Sequence, residues 1–128
     1  MRKRVSANRP WEATVGYSRA ARAGNVIEVS GTAAADPEGN VIGPGDVYAQ
    51  TRAALATIGD ALRELGASFE DVVRTRVFLT DVTRWAEAGR AHGEVFADIR
   101  PANAIIGTTG FVDPDMLVEI EVTAIVED

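Results

Sequence analysis

The chain has 128 residues, of which 46% are hydrophobic and 25% charged, and this balance predicts a single globular domain over residues 1–128. The formal net charge of −6 argues against a nucleic-acid-binding protein, because phosphate binding needs clustered lysine and arginine. The absence of cysteine and the single histidine exclude thiol chemistry and the usual metal sites. Without a long apolar run or the apolar part of a signal peptide, we expect a cytoplasmic protein with no membrane segment.

The first third of the chain has the pattern of short strands joined by turns. We expect an edge strand within residues 1–8 and a second short strand near residues 13–19. Residues 25–31 are rich in β-branched side chains and predict a third strand. Residues 36–40 contain proline and glycine and predict a turn, after which residues 41–42 pair back weakly.

Residues 46–65 are the clearest helix, because their apolar or small residues recur with a period of about 3.6. Asp46 is the expected N-cap of this helix, and Gly66 is the expected residue just past its C-terminal end. Residues 68–71 then have the pattern of a capping turn. The predicted buried stripe comprises Val47, Thr51, Ala54, Leu55, Ile58, Ala61, Leu62 and Leu65.

The second half of the chain predicts three strands and one helix. Alternation of apolar and polar residues indicates a strand over residues 72–80. A second helix is expected from about residue 83 to residue 97, and further strands over residues 103–111 and 117–126. The predicted buried stripe of this helix comprises Trp85, Ala88, His92, Val95 and Phe96.

The predicted element order is β-β-β-α-β-α-β-β. Because both helices fall between strands, we expect an α+β fold in which they pack on one face of a single mixed sheet. The other face of the sheet has no cover within the chain. We therefore expect association with further copies of the chain to cover it.

Two carboxylates, Glu119 and Glu121, interrupt the apolar pattern of the last strand. A spacing of two places them on the same face of the sheet. A buried carboxylate needs a partner or a role, because leaving it unpaired costs several kcal/mol. The structural interpretation is an ion pair across the sheet with Arg74 or Arg76, and the functional one is a site.

Other candidates each have a structural alternative. His92 is the only side chain with an ordinary pKa near neutrality, so it is an acid–base candidate or a packed helix histidine. Trp11 and Tyr17 either bind a ligand or pack in the core. Ser30 before Gly31 fits a strand end, and no nearby histidine suggests a serine nucleophile.

Several short motifs, taken together, resemble the RidA/YjgF family of reactive-intermediate deaminases. Each is weak alone, but their order and spacing cover nearly the whole chain. The resemblance implies a chorismate-mutase-like fold and a homotrimer with sites in clefts between subunits. It also implies hydrolysis of enamines and imines released by pyridoxal-phosphate enzymes, without a cofactor or metal of its own. The motifs are residues 15–17, 25–31, 50–52, 71–81, 101–102 and 118–124.

The resemblance also implies roles for individual residues. Glu119 takes the place of the glutamate that positions or activates water. Tyr17, Ser30 and Gly31 take places in the substrate cleft, and His92 is a second acid–base candidate near its edge.

The main departure from the family pattern follows the Pro-Ala motif. The deaminases carry there an arginine that clamps the substrate carboxylate, whereas this chain has Asn103, and Ile105 stands where they often have cysteine. Asparagine cannot form a charge-assisted fork. We therefore expect a ligand without the usual α-carboxylate, in a cleft with no guanidinium opposite Glu119. Arg100 is a weak substitute, since its odd spacing points it to the opposite face.

The favoured function is a Rid-like hydrolase or deaminase acting on a small imine, enamine or carbonyl compound other than 2-aminoacrylate. The alternative is a non-catalytic small-molecule-binding or pathway accessory protein on the same trimeric scaffold. The acidic charge and single histidine weigh against a ribonuclease. The candidate residues are Glu119 and His92 for catalysis and Tyr17, Ser30, Gly31, Asn103 and Ile105 for binding.

Overall fold

The computed structural model describes residues 2–127, which fold into one mixed sheet with the two long helices on one face. The predicted single sheet with two main helices is confirmed. The strands are β1 (Arg2–Val5), β2 (Ala20–Ala23), β3 (Val26–Ala33), β4 (Val72–Leu79), β5 (Ala102–Gly107) and β6 (Val118–Ile125). The α-helices are α1 (Glu12–Val15), α2 (Val47–Glu64) and α3 (Trp85–Phe96).

The strand order in the sheet is β1-β2-β3-β6-β4-β5. β4 and β5 run parallel because α3 carries the chain back between them, and the remaining neighbours are antiparallel. This order places β6 in the middle of the sheet, between β3 and β4. The apolar residues of β6 face α2 and α3, and Glu119 and Glu121 face the opposite side of the sheet.

The two ends of α2 are as predicted. The Asp46 side chain accepts a hydrogen bond of 2.9 Å from the backbone N–H of Ala49. At the other end Gly66 adopts a φ of 81°, and Ala67 N–H binds the carbonyl of Leu62 at 2.9 Å. Glycine favours this left-handed conformation because it has no Cβ, so Gly66 ends the helix sharply.

The strand predicted near residues 13–19 is wrong. Residues 12–15 form the short helix α1, and β2 begins only at Ala20. Gly16, with a φ of 81°, ends this helical turn by donating its N–H to the carbonyl of Glu12. The Glu12 carboxylate also accepts hydrogen bonds from Ser6 and Ala7, which ties α1 to the preceding segment. These local bonds outweigh the strand preference of the β-branched residues Thr14 and Val15.

Two smaller expectations about the second half also differ from the structure. Trp85 was predicted in the buried stripe of α3 but is 59% exposed, because it lies in the first turn, beyond the core. The strand predicted over residues 103–111 ends at Gly107, since Thr108 N–H then bonds the last carbonyl of β4, on Leu79. The weak pairing expected at residues 41–42 is confirmed as a bridge between Ala35 and Val41.

Gln50 ties α2 to the loop that leads into β6. Its side chain is fully buried, and its Nε2 donates to the carbonyls of Gly43 at 3.1 Å and Asp115 at 3.0 Å. Its Oε1 accepts from Leu117 N–H at 2.9 Å. Because Leu117 comes directly before β6, Gln50 sets where that strand begins and therefore where Glu119 lies.

Replacing Gln50 by alanine is expected to lower the free energy of unfolding by about 1–3 kcal/mol, because three backbone groups lose their partner. Arg52→Ala, on the exposed side of the same helix, should change it by less than about 0.5 kcal/mol. Urea unfolding of both variants checks this. Equal losses in the two variants would contradict the role assigned to Gln50.

Candidate functional site

A cavity of about 360 Å³ lies beside the paired strands β3 and β6, on the side of the sheet away from α2 and α3. Its polar walls include Glu119, Tyr17 and Gly31, three of the residues predicted to share a cleft. The structure thus places these three residues beside one cavity.

Glu119 enters the cavity at an irregularity of the sheet. The register of β3 against β6 shifts between Val29 and Thr32, so that Ser30 and Gly31 form a bulge. The Glu119 carboxyl group packs directly against Gly31, and a Cβ at that position would collide with it. The missing side chain of Gly31 is therefore what makes room for the carboxyl group.

The environment of Glu119 favours its protonated form. Burial raises the pKa of the Glu119 carboxyl group, the negative charge of Glu121 raises it further, and Arg19 partly opposes both. Glu121 itself pairs with Arg76 at 3.8 Å, as the structural interpretation predicted. Within residues 2–127, Glu119 has no ion-pair partner, so its carboxyl group can accept a proton more readily than an exposed one.

Two arginines line the same cavity, and the expectation of a cleft without a guanidinium is wrong. Arg19 Nη1 donates to the carbonyl of Gly31 at 3.1 Å and to Oγ1 of Thr32 at 2.9 Å. Arg9 Nη1 donates to the carbonyl of Ala7 at 3.1 Å. The sequence-based prediction looked for an arginine in two places only, at the position after Pro-Ala and at Arg100.

Arg19 can be identified from the pairing of β2 with β3. The backbone N–H of Ser30 binds the carbonyl of Arg19 at 2.8 Å, and Ala20 pairs with Val29. An arginine directly before β2 thus lies beside the bulge of β3. The pairing of these two strands was not predicted, because the first of them was placed at residues 13–19.

Tyr17, Trp11 and Ser30 also line the cavity. The Ser30 hydroxyl donates to the carbonyl of Ser18 at 2.6 Å, so it holds the ends of β2 and β3 together. The aromatic side chains of Trp11 and Tyr17 contribute apolar wall, and the Tyr17 ring lies 6.0 Å from the Arg19 guanidinium.

His92, Asn103 and Ile105 lie elsewhere. Asn103 Nδ2 donates to Thr75 Oγ1 at 2.9 Å, and the same oxygen lies 2.8 Å from His92 Nε2. Thr75 is fully buried under the helices, and Ile105 packs against the core beneath them. These residues therefore face the opposite side of the sheet from Glu119, and within one subunit they cannot contact a ligand beside it.

His92, Thr75 and Asn103 form a hydrogen-bonded cluster on the side of the sheet that α2 and α3 cover. Burial lowers the pKa of the His92 imidazole, whose ring packs against Phe96 at a centroid distance of 4.6 Å. Arg100, with a φ of 58°, lines a second cavity of about 400 Å³ beside His92. Neither residue lines the Glu119 cavity.

Residues 2–127 contain neither a metal centre nor a membrane-spanning helix. No group of three or more histidine, aspartate or glutamate side chains is arranged to hold a metal ion. None of the helices in this part of the chain has the length and apolar character to cross a membrane.

Gly31→Ala is expected to lower the free energy of unfolding by at most about 1–3 kcal/mol, the usual cost of overpacking, because the atoms that the new Cβ meets are the movable end of the Glu119 side chain. The same substitution in a Glu119→Ala background should cost much less, because the colliding carboxyl group is gone. Gly93→Ala is a control, since nothing lies within 4 Å of its new Cβ. An equal cost of Gly31→Ala in both backgrounds would show that the contact with Glu119 is unimportant.

The pKa shift of Glu119 has a definite effect on stability. Above about pH 4.3, the ordinary pKa of glutamate, the unfolded chain releases this proton while the folded protein keeps it. Stability should therefore fall as pH rises through the higher folded pKa. Glu119→Gln should lack this fall and be the more stable protein at pH 8. Denaturation of both proteins between pH 4 and pH 8 measures the difference, and parallel profiles would disprove the shift.

Comparison with known proteins reveals relatives over nearly the whole chain. A family model described as Endoribonuclease L-PSP matches residues 6–126. An uncharacterized protein of Streptomyces coelicolor, SCO2049, is 40% identical over 95% of this chain and 90% of its own length. A RutC family protein of Pyrococcus abyssi is 35% identical over 84% of each chain.

Solved structures agree with this relationship. Rv2704 of Mycobacterium tuberculosis, a member of the YjgF/YER057c/UK114 family, has a TM-score of 0.89 at 42% identity, covering 98% of this chain and 100% of its own. The YjgF protein of E. coli has a TM-score of 0.83 at 26% identity, covering 98% and 99%. The chain is therefore a member of the RidA/YjgF family.

Proposed function

We propose that this protein is a hydrolase or deaminase of the Rid type that acts on a small imine, enamine or related carbonyl compound. The observation that carries the proposal is the Glu119 carboxyl group, half-buried in the cavity without an ion-pair partner among residues 2–127 and with a raised pKa. A carboxylate with increased proton affinity is suited to take a proton from water.

The proposed hydrolysis needs one acid–base group, Glu119, and one water molecule. Glu119 takes a proton from a water molecule as its oxygen bonds to the carbon of a protonated imine. The resulting carbinolamine then breaks its C–N bond as Glu119 returns this proton to the nitrogen, and the hydroxyl proton is released to solvent as the C=O bond forms. The protonated imine and one water thus give a carbonyl compound, ammonia and one proton. No cofactor is required for this sequence.

We also propose that three copies assemble, with the face of the sheet that carries no helices turned toward a neighbour. The support is the apolar content of that face, on which Val26, Ile106 and Ile125 are 43%, 39% and 37% exposed. Such an assembly offers a way to join Asn103 of one copy to the Glu119 cavity of another, which the sheet prevents within a single copy.

Asn103 weighs against 2-aminoacrylate-type substrates, because the clamp position carries no charge. Arg9 and Arg19, however, remove the reason for expecting a ligand without any carboxylate. The family model's description as an endoribonuclease has little support in this chain. Its net charge is −6, and its one histidine is bonded to Thr75 away from the cavity.

The experiment is an ammonia-release assay with imines generated in situ. One set comes from amino acids and an amino-acid oxidase, and the other from amines and an amine oxidase. The parent should accelerate hydrolysis of at least one imine, and Glu119→Gln should abolish this acceleration while sedimentation shows an unchanged oligomer. Full activity in Glu119→Gln would overturn the proposed role.

Two further outcomes distinguish the alternatives. Saturable ligand binding without product for any imine would favour a non-catalytic binding protein on the same scaffold. With the 2-aminoacrylate-type intermediate the parent should be nearly inactive beside Asn103→Arg, and strong parent activity would show that Asn103 is no barrier.

A further inference from the structure

Three side chains from neighbouring elements form a hydrogen-bonded chain beneath α3. Thr75 of β4 and Asn103 of β5 are partners in the parallel pairing, and Asn103 Nδ2 donates to Thr75 Oγ1 at 2.9 Å. His92 of α3 completes the chain, with its Nε2 2.8 Å from the same oxygen. Thr75 is fully buried, and within residues 2–127 its hydroxyl has no third hydrogen-bond partner. This hydroxyl is thus shared between one amide and one imidazole.

The direction of the two hydrogen bonds follows from the available protons. The amide nitrogen of Asn103 can only donate, so Thr75 Oγ1 is the acceptor in the first bond. The one hydroxyl proton of Thr75 then has His92 Nε2 as its acceptor, and this nitrogen carries no proton. The neutral imidazole therefore holds its proton on Nδ1. A protonated Nε2 would reverse both bonds, because the hydroxyl proton would then need the oxygen of Asn103 in place of its nitrogen.

The orientation of the Asn103 amide depends on this chain. The two ends of an asparagine amide have nearly the same shape, so hydrogen bonding decides which end faces the core. With Nδ2 bound to Thr75, Oδ1 has no partner in the part of the chain that the structure describes. Asn103 is exposed on β5, an edge strand of the sheet, so its oxygen is available to a ligand. The tautomer of His92 thus selects the atom that Asn103 presents.

The surroundings of His92 favour the neutral imidazole. Burial lowers the pKa of His92, and Arg100, which lines the same cavity, is a cation that gives a protonated ring no stabilisation. Among residues 2–127 no carboxylate forms an ion pair with His92. Charged and phenolic groups on the elements around it face away, are exposed or are bound elsewhere. They are Arg74 and Arg76 on β4, Tyr48 and Arg52 on α2, Glu87, Arg90 and Glu94 on α3, Asp71 before β4, Asp81 and Arg84 before α3, and Asp98 after it.

We propose that His92 and Thr75 are positioning residues that hold the Asn103 amide with its oxygen outward, and that position 103 binds an uncharged N–H or O–H group of the ligand. An amide oxygen accepts a hydrogen bond from a carboxamide or a hydroxyl, whereas it repels the oxygens of a carboxylate. The expected substrate is therefore an imine with a carboxamide or hydroxyl near the reacting carbon. Contact with the ligand rests on the proposed function and assembly, but the orientation of the amide does not.

The fixed orientation matters more than the residue type. An asparagine that rotates freely could turn its N–H groups toward a carboxylate, so the amide alone does not reject an anion. In this chain Thr75 occupies one N–H, and the acceptor is left to face the ligand. His92 thereby acts on specificity without touching the ligand.

The first test is nitrogen-15 NMR of the tag-free protein, whose spectrum contains one histidine. Couplings between the ring nitrogens and the carbon-bound ring protons identify the protonated nitrogen. The neutral imidazole should carry its proton on Nδ1. Asn103→Asp should move it to Nε2, because a carboxylate only accepts, so that Thr75 donates to it and accepts from His92. Asn25→Asp, an exposed asparagine with the same change in charge, should keep the parent tautomer.

Two results of this measurement would overturn the proposal. One is a neutral imidazole protonated on Nε2 in the parent, which needs no variant to observe. The other is an unchanged tautomer in Asn103→Asp, since a residue that merely packs beside His92 would leave the ring proton in place.

The second test is titration of the nitrogen-15-labelled protein with 2-oxobutanamide and 2-oxobutanoate, the carbonyl products of the corresponding imines. The side-chain amide signals of Asn103 are identified by their loss in Asn103→Asp. The oxoamide should shift these signals and bind at least about tenfold more tightly than the oxoacid. Thr75→Val, which releases the amide, should reduce this preference severalfold, and Asn103→Arg should reverse it because a guanidinium binds the carboxylate.

Equal binding of the two compounds, tighter binding of the oxoacid by the parent, or no binding of either would overturn the assignment of position 103. Glu119→Gln separates the assignment from the proposed function, since it should keep the preference for the oxoamide although it has lost imine hydrolysis. Hydrolysis that depends on Glu119, beside a parent imidazole protonated on Nε2, would refute the positioning role alone. The expected tautomer and preference, without hydrolysis of any imine, would refute the proposed function alone.

Discussion

The contact between the Glu119 carboxyl group and Gly31 is the constraint on which the candidate site depends. A side chain at position 31 would occupy the place of that carboxyl group. The bulge at Ser30 and Gly31 sets the register of β3 against β6 and so brings the two residues together. Gln50, at a distance, holds the start of β6 in place through the loop before it. Gly31 and the buried amide of Gln50 thus position the Glu119 carboxylate within an otherwise apolar strand.

The central position of β6 has both a structural and a chemical consequence. One face of the strand is core, which provides rigidity. The other face presents two acids with different environments, since Glu121 is paired across the sheet and Glu119 is left to the cavity. A half-buried acid with a raised pKa beside a cavity is typical of sites that transfer protons. The same sheet keeps His92 and Asn103 on its far side, so within one chain the candidate site combines Glu119 with the two arginines of the cavity wall.

Much of the fold could be predicted because its signals are local. The stripe of α2, its Asp46 cap and its Gly66 terminus each depend on residues a few positions apart. The α1 segment could not be predicted in this way, since side-chain bonds from Glu12 to the preceding loop decide its conformation. In the site, alternation and family resemblance identified Glu119, Gly31 and Tyr17. Arg19 was missed because its place depends on the pairing of two strands. The position of His92 away from this cavity depends on its contact with Thr75 of β4, which the periodicity of one helix does not reveal.

The most direct test of the account is the protonation of Glu119 itself. Carbon-13 NMR of the Glu119 side-chain carboxyl group, followed over a pH titration of the protein, measures the pKa of this residue directly. The account predicts a pKa above that of an ordinary glutamate, falling when Glu121→Gln removes the neighbouring charge. A pKa at or below the ordinary value would mean that this carboxylate is either solvated or paired, and the site as described would not exist.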